Sequence, residues 1–257
     1  MTLIDLAAIV GALAWLPPIV VAVRAWLKKP KLRVFTQPAP EVGYTTRGPI
    51  FNLRIAFAVT NSDIVISGVR LQVTHESGEQ ISLAWQGIVQ HMGSISYPQV
   101  GSAPFERESG VLALKVAQSS VEERFIRFQN PDFTAKVADL DAVAVRRLVH
   151  LRKTGSLDRS FLEAQEMSDV YSLVRHEFPW KPGSYRVSVQ IESPEPFEAV
   201  GTEYEFSLSP LFVQRLHENL SQVEQYYCAE VFPEDADGNK TPIARWDWVY
   251  PEMRSIG

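Results

Sequence analysis

Apolar and polar residues alternate along three neighbouring stretches of the chain. The apolar positions are Phe51, Leu53, Ile55, Phe57, Val59, Val69, Leu71, Val73, Ile81, Leu83 and Trp85. Alternation with a period of two places such side chains on one face of a β-strand. Residues typical of turns separate the stretches at 61–63 and 77–78. The pattern therefore predicts an antiparallel meander of three strands.

Further strands are predicted on both sides of a long polar segment. Residues 31–37 and 112–116 have strand patterns, and alternation resumes at 185–191 and 204–208. Residues 87–110 are rich in Gly, Ser and Pro, so they are predicted to form a long loop.

Between residues 134 and 178 the spacing of apolar residues changes to three and four, which predicts amphipathic helices. The apolar positions are Val137, Leu140, Val143, Leu148, Leu151, Phe161, Met167, Val170, Tyr171 and Val174. Residues 154–156 interrupt the pattern, so a helical hairpin is predicted as an insertion at about 134–178. Ser209 and Pro210 supply an N-cap and a first helical residue, and they predict a C-terminal helix.

The segment from Trp180 to Val189 has a Pro-Gly turn followed by alternating Tyr185, Val187 and Val189. It resembles the penultimate strand of immunoglobulin-like and fibronectin-like β-sandwiches, in which a tyrosine stands at the start of the strand. The resemblance covers about a dozen residues, and the single cysteine, Cys228, lacks the partner that true immunoglobulin domains have. The resemblance implies an antiparallel β-sandwich. Together with the helical patterns, the predicted fold is mainly β, with a helical insertion and a C-terminal helix.

An uncharged run of 18 residues, Leu6 to Val23, predicts a single-span transmembrane anchor. As a helix it would measure about 27 Å, close to a bilayer core of about 30 Å. A cleaved signal peptide is the alternative, but the chain start has no basic residue and the run continues beyond Ala14. Five Lys or Arg residues lie at 24–33, so the positive-inside rule predicts a cytoplasmic location for the following domain.

The chain is therefore predicted to have an anchor at 1–29, a β-sandwich domain at 30–208 and a C-terminal helix with a polar and aromatic tail at 209–257. Anchor residues of note are Leu6, Gly11, Trp15, Pro17, Pro18 and Trp26. Small residues on one face of this helix would allow close helix association in the bilayer, and they are Ala7, Gly11 and Ala14.

Composition and charge restrict the function classes. A net charge of -5 without a basic face argues against a nucleic-acid partner. One cysteine cannot form an internal disulfide, which favours a reducing compartment. No catalytic motif, metal-ligand spacing or cofactor-binding motif is found in the sequence. The segment Asp235 to Asn239 begins with the alternating oxygen ligands of a calcium loop, but the Gly and Glu that such a loop requires at its sixth and twelfth positions are missing.

Two clusters are candidates for contacts. A basic cluster beside an apolar helix face suggests contact with lipid or with a protein partner, and it comprises Arg146, Arg147, Arg152 and Lys153. Three alternating rings, Trp246, Trp248 and Tyr250, are predicted either to form an aromatic platform or to hold the tail on its own domain.

Three functions remain open. The preferred one is a membrane-anchored cytoplasmic binding, sensor or scaffold protein, whose partners are the lipid bilayer and a protein or a second copy. The second is a membrane effector that oligomerises through its N-terminal helix and perturbs the bilayer. The third is an enzyme with a site that no motif reveals. The fold alone cannot decide among them.

Overall fold

The computed structural model describes residues 17–18, 29–97, 101–110, 112–234 and 238–256, and for 89–97 and 101–108 it describes the backbone alone. The predicted β-rich fold is confirmed. The strands are β1 Lys31–Thr36, β2 Glu41–Thr45, β3 Gly48–Thr60, β4 Ile64–Ile66, β5 Gly68–His75, β6 Gln80–Tyr97, β7 Gly101–Ser109, β8 Leu114–Val116, β9 Val121–Gln129, β10 Gly183–Glu192, β11 Glu198–Val200, β12 Glu203–Leu208 and β13 Met253–Ser255.

Eleven of these strands form one curled sheet with the order β11-β1-β3-β9-β6-β5-β10-β12-β13, while β4 and β8 form a small separate pair. β2 pairs with one half of β3, and β7 pairs with the distal part of β6. All pairs are antiparallel except β1 with β11. The predicted meander of three strands is only partly correct: β5 pairs with β6, but β3 pairs with β1 and β9, and β9 lies between β3 and β6.

The predicted antiparallel β-sandwich is wrong, because the strands form one curled sheet in place of two packed sheets. The curl brings distant strands together: the Phe51 ring of β3 lies 5.7 Å from the Phe206 ring of β12. Alternation of apolar residues shows that one face of each strand is buried, but a sandwich and a curled sheet bury that face equally well.

The helices lie outside the sheet and occupy two segments of the chain. They are α1 Pro131–Thr154, α2 Gln165–His176, α3 Pro210–Glu218 and α4 Val223–Val231, with 3-10 turns at Arg159–Glu163 and Asn219–Gln222. The hydroxyl of Ser209 accepts a hydrogen bond from Phe212 N, which confirms the predicted start of α3. In α1 the buried residues are Phe133, Val137 and Ala144, whereas Val143, which was predicted on the apolar face, is exposed.

The predicted transmembrane helix is not supported, and the single-pass membrane assignment is corrected accordingly. In the part of the chain that the structure describes, no helix has both the length and the apolar character that crossing a bilayer requires. Of the predicted anchor at 1–29, all but Pro17, Pro18 and Lys29 lie outside the described residues. An uncharged run of residues shows only that a segment is apolar, whereas a membrane-spanning segment must also form a continuous helix. The cytoplasmic location stays a prediction.

The C-terminal segment joins the two ends of the curled sheet. Residues of β13 pair with β12, and the Met253 amide also donates to Pro38 O, 2.7 Å away, in the interruption between β1 and β2. A few residues earlier, Val249 exchanges two backbone hydrogen bonds with Val42 of β2, at 2.9 and 3.0 Å. The tail therefore spans from β12 to the outer edge of β2.

Two backbone carbonyls of β2 accept hydrogen bonds from side chains. The buried Trp180 indole donates to Gly43 O at 3.0 Å. The Asn219 side-chain amide donates to Tyr44 O at 3.0 Å and to Asp247 O at 2.9 Å, and its oxygen accepts from Asp247 N at 2.7 Å. Asn219 thus holds the tail and the sheet edge together from a position that is only 1% exposed.

We expect Asn219→Ala to lower the free energy of unfolding by about 3 kcal/mol, because it leaves the buried Tyr44 carbonyl and the Asp247 backbone without partners. Urea denaturation of the full chain measures this change. Gln214→Ala, on the exposed face of α3, removes an amide that bonds only to Glu218 and should change stability by less than about 0.5 kcal/mol. Equal effects of the two substitutions would show that Asn219 is not a clamp.

Candidate functional site

Helix α4 separates two clefts in the helical layer, and its two faces line one cleft each. The first, named here the α2–α4 cleft, has a volume of about 700 Å³. Its lining residues come from α2, α4, the 3-10 turn before α2 and the C-terminal segment, and they are Arg159, Leu162, Glu163, Ser168, Tyr171, Arg175, Glu224, Gln225, Cys228, Lys240, Thr241 and Pro242. This volume lies within the range of about 300–1,000 Å³ that small-molecule sites occupy.

Tyr171 is the polar group of this cleft with the least access to solvent. Its side chain is 94% buried within the described structure, and its hydroxyl has no hydrogen-bond partner among the described residues. Burial, with the neighbouring Glu224 and Cys228, raises the pKa of Tyr171 to about 12. Tyr171 lines the α2–α4 cleft together with Glu224 and Cys228, and its buried hydroxyl stays protonated at neutral pH.

Arg175 joins the two helices across the cleft. Its guanidinium bonds to the carboxylate of Glu224 on α4 and lies 6.0 Å from the centre of the Tyr171 ring. Both members of the ion pair are about half exposed, at 46% and 58%. An exposed pair of this kind contributes only about 0–1 kcal/mol, so it can exchange partners readily.

The second cleft, named here the α1–α4 cleft, has a volume of about 390 Å³ and lies beside the β2–β3 turn. Its lining is more apolar and comprises Thr46, Arg47, Val137, Asp141, Ala144, Val145, Leu148, Arg152, Phe161, Met167, Tyr226, Tyr227, Glu230 and Val231. The Tyr227 hydroxyl donates to Asp141 at 3.0 Å. Burial raises the pKa of Asp141, and burial together with the Asp141 charge raises the pKa of Tyr227.

The structure separates the predicted basic cluster. Arg147 forms two hydrogen bonds with Glu166, at 2.9 and 2.6 Å, and Arg152 bonds to Val231 O at the α1–α4 cleft. Arg146 and Lys153 are exposed. A role of these four residues in lipid or partner contact stays a prediction.

The three predicted platform rings have different surroundings. The ring centres of Trp246 and Tyr226 are 6.1 Å apart. Trp248 packs so closely on Gly43 that a Cβ atom at position 43 would lie 2.3 Å from the Trp248 ring. Tyr250 is 54% exposed. Two of the rings therefore contact the protein itself, and a platform for a ligand stays a prediction.

The other predicted residues fall largely outside the described chain. The association residues Ala7, Gly11 and Ala14 lie there, as do Leu6, Trp15, Trp26 and residues 235–237 of the acidic loop. Pro17 and Pro18 are helical and exposed. Within the described residues no group of three or more His, Cys, Asp or Glu side chains could hold a metal ion.

Sequence reasoning missed the α2–α4 cleft. Tyr171 was assigned to the apolar stripe of a helix, and Arg175 was not singled out, although residues four apart on a helix lie side by side. The spacing of four residues between Tyr171 and Arg175 could have indicated this part of the cleft from the sequence alone. The contribution of Glu224 depends on the packing of α4 against α2, which no local pattern predicts.

No protein-family model matches the chain, and a comparison with curated proteins finds no match.

We expect Asp141→Asn to raise the free energy of unfolding at neutral pH, because it removes a buried charge but keeps an acceptor for Tyr227. A carboxyl whose pKa is raised on folding stabilises the protein below its unfolded pKa, and this stability is lost as the pH rises through the folded pKa. The advantage of the variant should therefore be absent below about pH 4 and grow as the pH rises above this value.

Urea denaturation across this pH range measures the difference. Asp139→Asn removes the same charge from an exposed position on α1 and serves as the control. A pH-independent difference between the wild type and Asp141→Asn would contradict the burial argument.

Proposed function

We propose that the protein is a binding protein and that its recognition site is the α2–α4 cleft. The observation that carries the proposal is that Tyr171 lines the cleft and that its buried hydroxyl has no partner among the described residues. A buried hydroxyl without a hydrogen bond costs about 1–3 kcal/mol. A ligand that bonds to it would recover this free energy.

The surroundings of Tyr171 support recognition of a polar ligand. Side chains of both charges line the cleft, together with the hydroxyls of Ser168 and Thr241 and the amide of Gln225. Polar groups at fixed positions in a concave site can set the orientation of a ligand. The rigid sheet behind the helices provides a scaffold that keeps these groups in place.

The proposal includes only part of the function that the sequence predicts. A protein partner or a second copy as an additional occupant stays a prediction, and so does the absence of a nucleic-acid partner. The membrane-effector alternative is not carried forward, because it requires the transmembrane helix that the described structure does not support. The immunoglobulin-like resemblance of residues 180–189 contributes nothing to the proposal.

Cys228 provides a specific reporter, because it is the single cysteine of the chain, it is half-buried and it lines the α2–α4 cleft. The experiment measures the rate at which iodoacetamide alkylates Cys228 in the full chain, by mass spectrometry. The probes are benzoate, benzamide, benzylamine and inorganic phosphate, so that three compounds share a ring and differ in charge. We expect at least one probe to slow alkylation with a saturable dependence on its concentration.

A matched pair of variants locates the effect. Ser168→Trp places a large ring at an exposed lining position of the cleft, and Ser172→Trp makes the same change one turn later, outside both clefts. Protection should be lost in Ser168→Trp and kept in Ser172→Trp. If none of the four probes slows alkylation, or if Ser168→Trp keeps the protection, the proposed recognition site is wrong.

A further inference from the structure

The α2–α4 cleft has an excess of cationic side chains. Arg159, Arg175 and Lys240 line it, against the carboxylates of Glu163 and Glu224. The α1–α4 cleft is balanced by comparison, because Arg47 and Arg152 face Asp141 and Glu230 there. Of these two clefts, the first has the charge that suits an anion.

Arg175 is already arranged as an anion receptor. Its guanidinium is a planar fork of donors that fits a carboxylate or a phosphate, and Glu224 occupies it from α4. Because Arg175 and Glu224 are about half exposed, solvent weakens their attraction and an incoming anion can replace the glutamate. The Tyr171 ring below the guanidinium limits its orientation.

Tyr171 supplies a second donor beside this arginine. Its hydroxyl is buried, it has no partner among the described residues, and it stays protonated at neutral pH. A neutral hydroxyl and a guanidinium on one wall can both donate to the oxygens of the same anion.

We infer that the ligand of the α2–α4 cleft carries a carboxylate or a phosphate group that displaces Glu224 from Arg175 and accepts a hydrogen bond from the Tyr171 hydroxyl. This inference rests on the proposed function, since it assigns a chemical class to the ligand of the same cleft. Glu224 acts as an internal competitor that occupies Arg175 until the anion arrives.

The competitor role predicts a gain of affinity, which an ordinary contact would not give. Glu224→Gln frees Arg175, so benzoate and inorganic phosphate should bind about fivefold more tightly. Glu230→Gln makes the same charge change on the same helix but on the face of the α1–α4 cleft, and it should leave both affinities unchanged. Isothermal titration of the full chain measures the affinities, and protection of Cys228 from iodoacetamide reports the site.

The two donors predict losses. Arg175→Gln should weaken binding of both anions about tenfold or more, since a hydrogen bond to a charged group is lost. Tyr171→Phe should weaken binding about fivefold and at the same time raise the melting temperature of the free protein, because it removes a buried hydroxyl that has no partner among the described residues. Opposite shifts of affinity and stability distinguish this contact from a general loss of structure.

Each outcome decides between the two proposals. Protection of Cys228 by benzamide or benzylamine but by neither anion would overturn the inference and keep the recognition site. Failure of all probes would overturn both. If Glu224→Gln and Glu230→Gln tighten binding equally, net charge alone attracts the anion and the displacement of Glu224 is wrong. Preference for benzoate over phosphate, or the reverse, identifies which anion the ligand carries.

Discussion

The outer edge of β2 is the constraint on which the arrangement of the helices and the tail depends. An edge strand presents backbone groups that must find partners when they are buried, because an unpaired buried group costs about as much as a lost hydrogen bond. Here Val42 pairs with the tail, Gly43 O accepts from Trp180, and Tyr44 O accepts from Asn219. Three distant parts of the chain are fixed to this one strand.

Tyr44 extends this constraint to the α2–α4 cleft. Its backbone oxygen is held by Asn219, four residues before α4, and its buried hydroxyl donates to Val174 O of α2 at 2.7 Å. Both walls of the α2–α4 cleft are therefore tied to the same residue of the sheet edge. Arg175 follows Val174 directly, so the bond that fixes α2 also fixes the backbone from which the Arg175 side chain extends towards α4.

The sequence predicted the parts of the fold that local periodicity controls. Leu53 and Ile55 are buried and Arg54 is exposed, as alternation required. The loop predicted at 87–110 is wrong, because its backbone forms most of the β6–β7 hairpin; Gly and Ser lower strand propensity, but cross-strand pairing overrides it. The curl was not predictable either, since it brings together strands that are far apart in the chain, such as β3 and β12.

The site was less accessible to sequence reasoning, for a related reason. Tyr171 has the spacing of a core residue and is indeed buried, so its pattern conceals a hydroxyl that lacks a partner among the described residues. Asn219 shows the opposite case, because a polar residue after a helix is ordinary on a surface but becomes a clamp once the tail covers it. In both cases the decisive property is whether a polar atom finds a partner from elsewhere in the chain. At Asn219 every side-chain polar atom finds a partner, which fixes the scaffold. At Tyr171 the hydroxyl finds none within the described structure, and the proposed ligand contact is based on this difference.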